Sequence, residues 1–204
     1  MSASSFAMRA IPVLMAVFLV FAATQQAAAC ACCSSVGERS ELTVKLNSGH
    51  VAELERLRFE RTAQLFLGEA DPDSVKGIAT PSDRYELDAS RVNDRFVFSF
   101  RDAKDRGGTL TLARLNAISI FHVDTRQQDE RPQGPALYKE WRLTAKAAGT
   151  GIFTPGLGAQ QTLTLVLQGL GNNCTSPHDF THWTLKMWGP KAKYHFFGNL
   201  QAMP

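Results

Sequence analysis

The sequence predicts an all-β fold: a single-domain antiparallel meander of about eight to ten strands that closes as a β-barrel or a β-sandwich. Short stretches in which apolar and polar residues alternate recur along the chain, separated by turns rich in Gly, Pro, Asn and Asp. Phenylalanine, with 13 residues of 204, dominates the aromatic residues and favours a β-rich core. A sheet of this length must hide its edges, but alternation does not distinguish a closed barrel from two packed sheets.

Residues 1–29 have the features of a secretory signal peptide. Arg9 supplies the positive charge at the start, residues 11–23 form an apolar stretch, and three alanines precede Cys30. The apolar stretch is shorter than the roughly 20 residues that a membrane span needs. We therefore expect the mature chain to be exported, to the periplasm or the cell exterior, and to contain no membrane span.

Cleavage before Cys30 leaves a lipid anchor as an alternative to simple export. Bacterial lipoproteins are cleaved directly before a cysteine that carries the lipid. Their signal usually has leucine three residues before that cysteine, whereas this chain has Ala27. Simple export is therefore favoured, and a lipid-anchored surface protein attached through Cys30 is the alternative.

Residues 30–50 are predicted to form a cysteine-containing N-terminal extension, and residues 51–204 the β-rich domain. Within the extension, residues 42–46 alternate between apolar and polar, which predicts a short strand that ends at Asn47-Ser48-Gly49. Residues 51–67 mix charged residues with leucines, so they fit a helix supported by ion pairs or a pair of strands about equally well.

The strand pattern is clearer from residue 71 onward. Residues 124–136 are polar and contain two prolines, so they predict a long loop of the kind that often carries function. Gly169-x-Gly171 lies between two strand patterns and predicts a turn. The alternating apolar residues of the expected strands are Tyr85, Leu87 and Ala89; Phe96, Phe98 and Phe100; Leu110 and Leu112; Ile118 and Ile120; Trp141, Leu143 and Ala145; Leu163, Leu165 and Leu167; Trp183, Leu185 and Met187; and Tyr194 and Phe196.

Charge and motifs narrow the class of function. The chain has a small net charge of +3 and its basic residues are not clustered, so we expect no nucleic-acid partner. The sequence contains no Gly-x-Ser-x-Gly elbow, no phosphate-binding Walker loop and no His-Glu-x-x-His helix. It therefore leans away from an enzyme and towards a non-catalytic binding or structural role, although one sequence does not reveal acid–base pairs that distant residues form in a fold. It does not identify the partner.

The four cysteines predict a covalent link between the two ends of the mature chain. Cys30, Cys32 and Cys33 lie together after the signal peptide, and Cys174 lies far away. Export places them in an oxidising compartment, where disulfides persist. We expect Cys174 to pair with one of Cys30, Cys32 and Cys33, which would tie the N-terminus to the domain. Closing so long a loop contributes about 4–5 kcal/mol in the chain-entropy description.

A soft-metal site is the alternative use of these cysteines. Thiolates at Cys-x-Cys-Cys spacing can converge on copper or zinc, which would then be the cofactor. On a helix, Cys174 and two histidines at intervals of four residues would share one face, but Pro177 interrupts that segment and His182 alternates with the next strand. The candidate ligands are Cys30, Cys32, Cys33, Cys174, His178 and His182.

Aromatic residues on three expected strands give a default ligand site. If the domain binds a small ligand, the barrel mouth or sheet face near Trp141, Trp183 and Tyr194 offers the area for contact. The competing interpretation, which we favour, is that these rings belong to the core.

Overall fold

The computed structural model describes residues 36–66, 75–92, 94–113, 115–126, 137–171 and 177–201. The described residues form ten strands, one α-helix and two short 3-10 helices. None of their helices is both long enough and apolar enough to cross a membrane. In chain order the elements are β1 (Arg39–Lys45), α1 (Ser48–Arg56), β2 (Thr62–Phe66), β3 (Arg84–Val92), β4 (Arg95–Arg101), β5 (Gly107–Leu112), β6 (Ala117–Asp124), β7 (Leu137–Gly149), the first 3-10 helix (Gly151–Gly156), β8 (Thr162–Gly171), the second 3-10 helix (Pro177–Asp179), β9 (Phe180–Gly189) and β10 (Ala192–Asn199).

Eight of these strands close an antiparallel β-barrel in the order β2-β3-β4-β5-β7-β8-β9-β10 and back to β2. The predicted all-β antiparallel class is therefore confirmed, and the barrel is the form adopted. The pairing of Phe196 with Leu65 joins the last strand to β2, and the pairing of Leu112 with Ala147 joins β5 to β7. Closure removes the exposed strand edges that an open sheet of this size would present.

The remaining two strands branch from the barrel at β7, which has 13 residues. The first part of β7 pairs with β6, with Asp124 opposite Leu137, and the last part pairs with β5 along the same edge. β1 pairs in turn with β6 through all seven of its residues. The short strand predicted within residues 30–50 is thus an outer strand of the sheet.

α1 covers one end of the barrel. Residues 51–67, for which the sequence favoured neither helix nor strands, contain both the end of α1 and the whole of β2. The side chain of Asn47 accepts a hydrogen bond from the His50 amide at 2.9 Å, and the His50 ring accepts one from the Asn47 amide. This reciprocal cap satisfies two amides that a helix start otherwise leaves without partners. Leu54, 1% exposed, then points into the barrel. β2 follows from Thr62.

The interior of the barrel is filled by side chains from the inward phase of the strands. The first 3-10 helix closes the end opposite α1 with Phe153, whose ring lies 5.3 Å from that of Phe100. Small barrels of this strand number have just enough interior to be filled in this way. Trp141, Trp183 and Tyr194 are 2%, 0% and 3% exposed and belong to this core. They are not a surface for a ligand.

Candidate functional site

The paired strands β7 and β8 contact the second 3-10 helix at the end of the barrel where α1 lies. β7 and β8 pair so that Lys139 is opposite Gly169 and Leu137 is opposite Gly171. The Lys139 side chain is fully buried, and its Nζ donates to Asp179 Oδ2 at 2.7 Å. The same ammonium group lies 5.2 Å from the centre of the Phe180 ring. A lysine without solvent contact needs such a partner, because an uncompensated buried charge is strongly destabilising.

Gly169 and Gly171 make room for Asp179. A Cβ atom on Gly169 would lie 1.7 Å from the Asp179 carbonyl oxygen, and one on Gly171 would lie 1.8 Å from Asp179 Oδ2. The turn predicted at Gly169-x-Gly171 was wrong, since both residues lie within β8. Their glycine identity reflects close packing against Asp179, which lets the carboxylate reach Lys139.

Other buried polar residues lie beside this pair on the inward face of β6. His122, 8% exposed, is the register partner of Lys139, so the two side chains lie on the same face of the sheet. Asp124, 6% exposed, accepts hydrogen bonds from the backbone amide and the guanidinium of Arg126. The Arg126 guanidinium holds the pKa of Asp124 below its ordinary value, against the opposing effect of burial. We call His122, Asp124, Lys139 and Asp179 the polar mouth of the barrel.

The sequence-predicted metal ligands are only partly within the described residues. Cys30, Cys32, Cys33 and Cys174 lie outside them, whereas His178 and His182 lie within. His178 is exposed on the second 3-10 helix, and His182 is exposed on β9 with Nδ1 2.8 Å from Thr181 Oγ1. The helical face considered for the two histidines is not formed, because this segment is a 3-10 turn followed by a strand. No group of three or more His, Cys, Asp or Glu side chains in the described ranges is arranged to hold a metal ion.

A pocket of about 390 Å³ opens between α1 and the barrel wall. Arg91 forms part of the wall of this pocket, and only 9% of its side chain is exposed. Its Nη1 donates to the Val51 carbonyl oxygen at 2.9 Å and lies 3.5 Å from Glu55 Oε1. Its Nε has no hydrogen-bond partner in the part of the chain that the structure describes. The lining residues are Leu54, Glu55, Leu57, Arg58, Phe59, Ala89, Ser90, Arg91, Phe96 and Gln201.

A second arginine closes the rim of this α1 pocket. Arg58 Nη1 donates to the carbonyl oxygens of Glu55 and Leu57 at 2.7 and 2.9 Å. These carbonyls belong to the C-terminal end of α1, where the helix itself provides no donors, so Arg58 stabilises the helix end. The pocket therefore presents two guanidinium groups and one carboxylate above a floor of leucine, alanine and phenylalanine side chains.

A shallower pocket of about 400 Å³ lies on the outside of the barrel, lined by Tyr138, Gln168 and His182 among others. Its polar groups largely satisfy one another: the Tyr138 hydroxyl donates to Glu140, Gln168 Nε2 donates to that hydroxyl, and Arg142 donates to Glu140. Burial, together with the Glu140 carboxylate, raises the pKa of Tyr138 to about 12. Burial pushes the pKa of Glu140 up, but hydrogen bonds from Tyr138 and Arg142 outweigh it and lower that pKa. This pocket offers a ligand fewer free polar groups than the α1 pocket.

The sequence did contain a signal for the residues that were missed. Tyr85, Leu87 and Ala89 mark the inward phase of β3, and Arg91 occupies the next inward position. Lys139 likewise occupies an inward position of β7, between Leu137 and Trp141. A charged residue on the apolar phase of a strand indicates either a buried ion pair or a binding site.

Comparisons with known proteins give this chain no relatives: no family model, no curated protein and no solved structure matches it. The fold and the site geometry therefore define the class by themselves. The protein is a small closed β-barrel with a filled interior, an α-helix over one end, and a charged pocket beneath that helix.

Proposed function

We propose that this protein is an exported, non-catalytic binding domain that holds a small ligand in the α1 pocket. The observation that carries the proposal is Arg91, a nearly buried arginine on the pocket wall whose Nε has no partner among the described residues. Binding pockets are typically clefts of about 300–1,000 Å³ with apolar walls and a few polar groups that orient the ligand. The α1 pocket falls within this range of size, and its lining combines charged side chains with leucine, alanine and phenylalanine.

The filled barrel interior supports this location. Phe96, Phe98 and Trp183 are at most 2% exposed and stack on one another across the interior. A ligand of the described domain is therefore expected at an end of the barrel and not along its axis. The α1 end combines an apolar floor with charged side chains, whereas the opposite end is closed by Ile152 and Phe153, 8% and 0% exposed.

We further propose that the N-terminal cysteines are tied to Cys174 by a disulfide in the exported protein. Arg39, Val123, Tyr138 and Leu170 are successive register partners across β1, β6, β7 and β8. Three strand spacings of about 4.8 Å put Arg39 and Leu170 about 14 Å apart. Cys33 precedes Arg39 by six residues and Cys174 follows Leu170 by four. At up to about 3.5 Å per residue, these segments are long enough to meet, which supports the proposed link.

Intact mass spectrometry of the protein purified from an oxidising host tests the link. We expect the mass of a chain that begins at Cys30 and an increase of two hydrogens for each disulfide on reduction. Cys174→Ser should remove the link to the N-terminus. A fully reduced chain would contradict the proposed disulfide. A copper or zinc ion that is lost in Cys32→Ser would favour the soft-metal alternative. Added acyl mass on Cys30 would favour the lipid anchor.

Nuclear magnetic resonance titration with a library of small molecules tests the binding site. We expect shifts to concentrate on α1 and the adjoining ends of β3 and β4. Ala89→Phe, which fills the pocket, should abolish them, whereas Asp88→Phe, at an exposed position on the same strand, should not. Shifts that cluster elsewhere on the barrel, or that survive Ala89→Phe, would refute this site.

A further inference from the structure

We infer that the α1 pocket selects a ligand with a single carboxylate on an apolar body, and that Arg91 is the residue that binds the carboxylate. This inference rests on the proposed function, because it names the ligand class of the same pocket. Three features of the pocket support this ligand class: the charge of its lining, the environment of Arg91 and the composition of its floor.

The charge of the lining favours one negative charge on the ligand. Arg58 and Arg91 carry two positive charges, and Glu55 carries one negative charge. Glu55 Oε1 lies 3.5 Å from Arg91 Nη1, so its negative charge offsets part of the positive charge of the two arginines. The excess of one positive charge matches a carboxylate better than a phosphate monoester, which carries nearly two negative charges at neutral pH.

The environment of Arg91 favours a strong interaction with that carboxylate. The guanidinium lies 5.6 Å from the centre of the Phe96 ring, and only 9% of the side chain is exposed. Its contacts to Val51 and Glu55 both use Nη1, and Nε has no partner within the described ranges. A guanidinium has five donors in a planar fork that matches the two oxygens of a carboxylate. Because the Arg91 side chain is nearly buried, its hydrogen bonds are stronger than those of an exposed arginine.

The floor of the pocket favours an apolar body on the ligand. Side chains of α1, of the segment that follows it and of the barrel wall form it, and none of them carries a polar group. Transfer of an alkyl chain or a ring from water to such a floor is favourable in proportion to the area buried. The residues of this floor are Leu54, Leu57, Phe59, Ala89 and Phe96.

Four probes with matched chains test the ligand class on the mature protein: octanoate, octanol, octylamine and octyl phosphate. Titrations followed by nuclear magnetic resonance should give the tightest binding for octanoate and no saturable binding for octylamine. Octanol or octyl phosphate binding as tightly as octanoate would overturn the carboxylate assignment while leaving the pocket as a binding site. If neither these probes nor the library shifts the pocket residues, the proposed function itself fails.

Variants of the two charged groups test the role of Arg91. Arg91→Gln should weaken octanoate binding on the order of tenfold or more, and Arg91→Lys should restore only part of that loss. Arg95→Gln removes an exposed arginine nearby and should leave binding unchanged. Glu55→Gln removes the competing carboxylate without disturbing the core, so it should tighten octanoate binding. Weaker binding in Glu55→Gln, or unchanged binding in a folded Arg91→Gln, would overturn the inference.

Discussion

The ammonium group of Lys139 lies 2.7 Å from the carboxylate of Asp179, and the Lys139 side chain has no exposure to solvent. The two residues come from β7 and the second 3-10 helix, 40 positions apart in the chain. Their contact anchors the segment that leads into β9 onto the wall of the barrel. The polar mouth is therefore a structural element of the fold as well as a cluster of titratable groups.

Asp179→Ala should destabilise the protein by about 3 kcal/mol, because it leaves the buried Lys139 ammonium without its carboxylate partner. Urea denaturation measures the change in the free energy of unfolding. Lys139→Met is the matched control: it replaces the charge by an apolar chain, and the partly exposed Asp179 carboxylate can then be solvated. We expect a smaller loss for Lys139→Met. Equal losses would show that the ion pair, and not the buried charge, dominates the effect.

Alanine substitutions of the two β8 glycines should act through Asp179. Gly169→Ala would press a Cβ atom onto the Asp179 backbone, whereas Gly171→Ala would press one onto its carboxylate, which can move more easily. We expect Gly169→Ala to be more destabilising than Gly171→Ala. Gly158→Ala is the control, since its Cβ would meet only the flexible Lys191 side chain.

A double-mutant cycle checks this mechanism for Gly171. Once Asp179 is alanine, the obstructing carboxylate is gone and only the contact to its Cβ atom at 2.7 Å remains, so Gly171→Ala should cost less than in the wild-type background. The free energies of unfolding of the four proteins provide the coupling. Additive losses would show that Gly171→Ala acts on some other contact.

Acid stability should depend on Asp124. Its pKa lies below the ordinary value of 3.8 because Arg126 stabilises the carboxylate, so the unfolded chain binds the proton more readily than the folded one. The resulting stability is fully present above about pH 4 and is lost as the pH falls towards the folded pKa. Asp124→Asn should therefore flatten the fall in unfolding free energy between about pH 4 and the lower limit of folding.

The comparison for Asp124→Asn is Asp88→Asn, which removes an exposed carboxylate of β3. Urea denaturation over a series of pH values should show that the unfolding free energy of this variant depends on acid pH much as that of the wild type does. If the unfolding free energy of Asp124→Asn fell with decreasing pH as steeply as that of the wild type, the proposed contribution of the Asp124–Arg126 pair would be wrong.

The Asn47 cap should stabilise α1, the helix that covers the α1 pocket. Asn47→Ala removes the side chain that accepts the His50 amide hydrogen bond, and such caps contribute about 1 kcal/mol. Hydrogen exchange of the α1 amides should become faster in this variant. Ser48→Ala, one residue further on, keeps the cap and should leave exchange unchanged.

The candidate site was less predictable from sequence than the fold. The aromatic residues Trp141, Trp183 and Tyr194 drew attention, but apolar contact area serves a core and a ligand equally well, and here it serves the core. The alternation of apolar residues predicts this strand only as far as Ala89, so it does not identify Arg91. Its importance depends on α1 lying above it, and that contact joins residues 40 positions apart.

By itself the sequence determined the all-β class, the approximate number of strands and the inward residues of most of them. That information is local, because alternate side chains of a strand point to opposite faces and burial selects one phase. Only the tertiary structure decided that β10 returns to β2, that the sheet branches at β7, and that Lys139 meets Asp179. Each of these depends on the relative free energies of pairings between distant segments, which the period of a single strand does not contain.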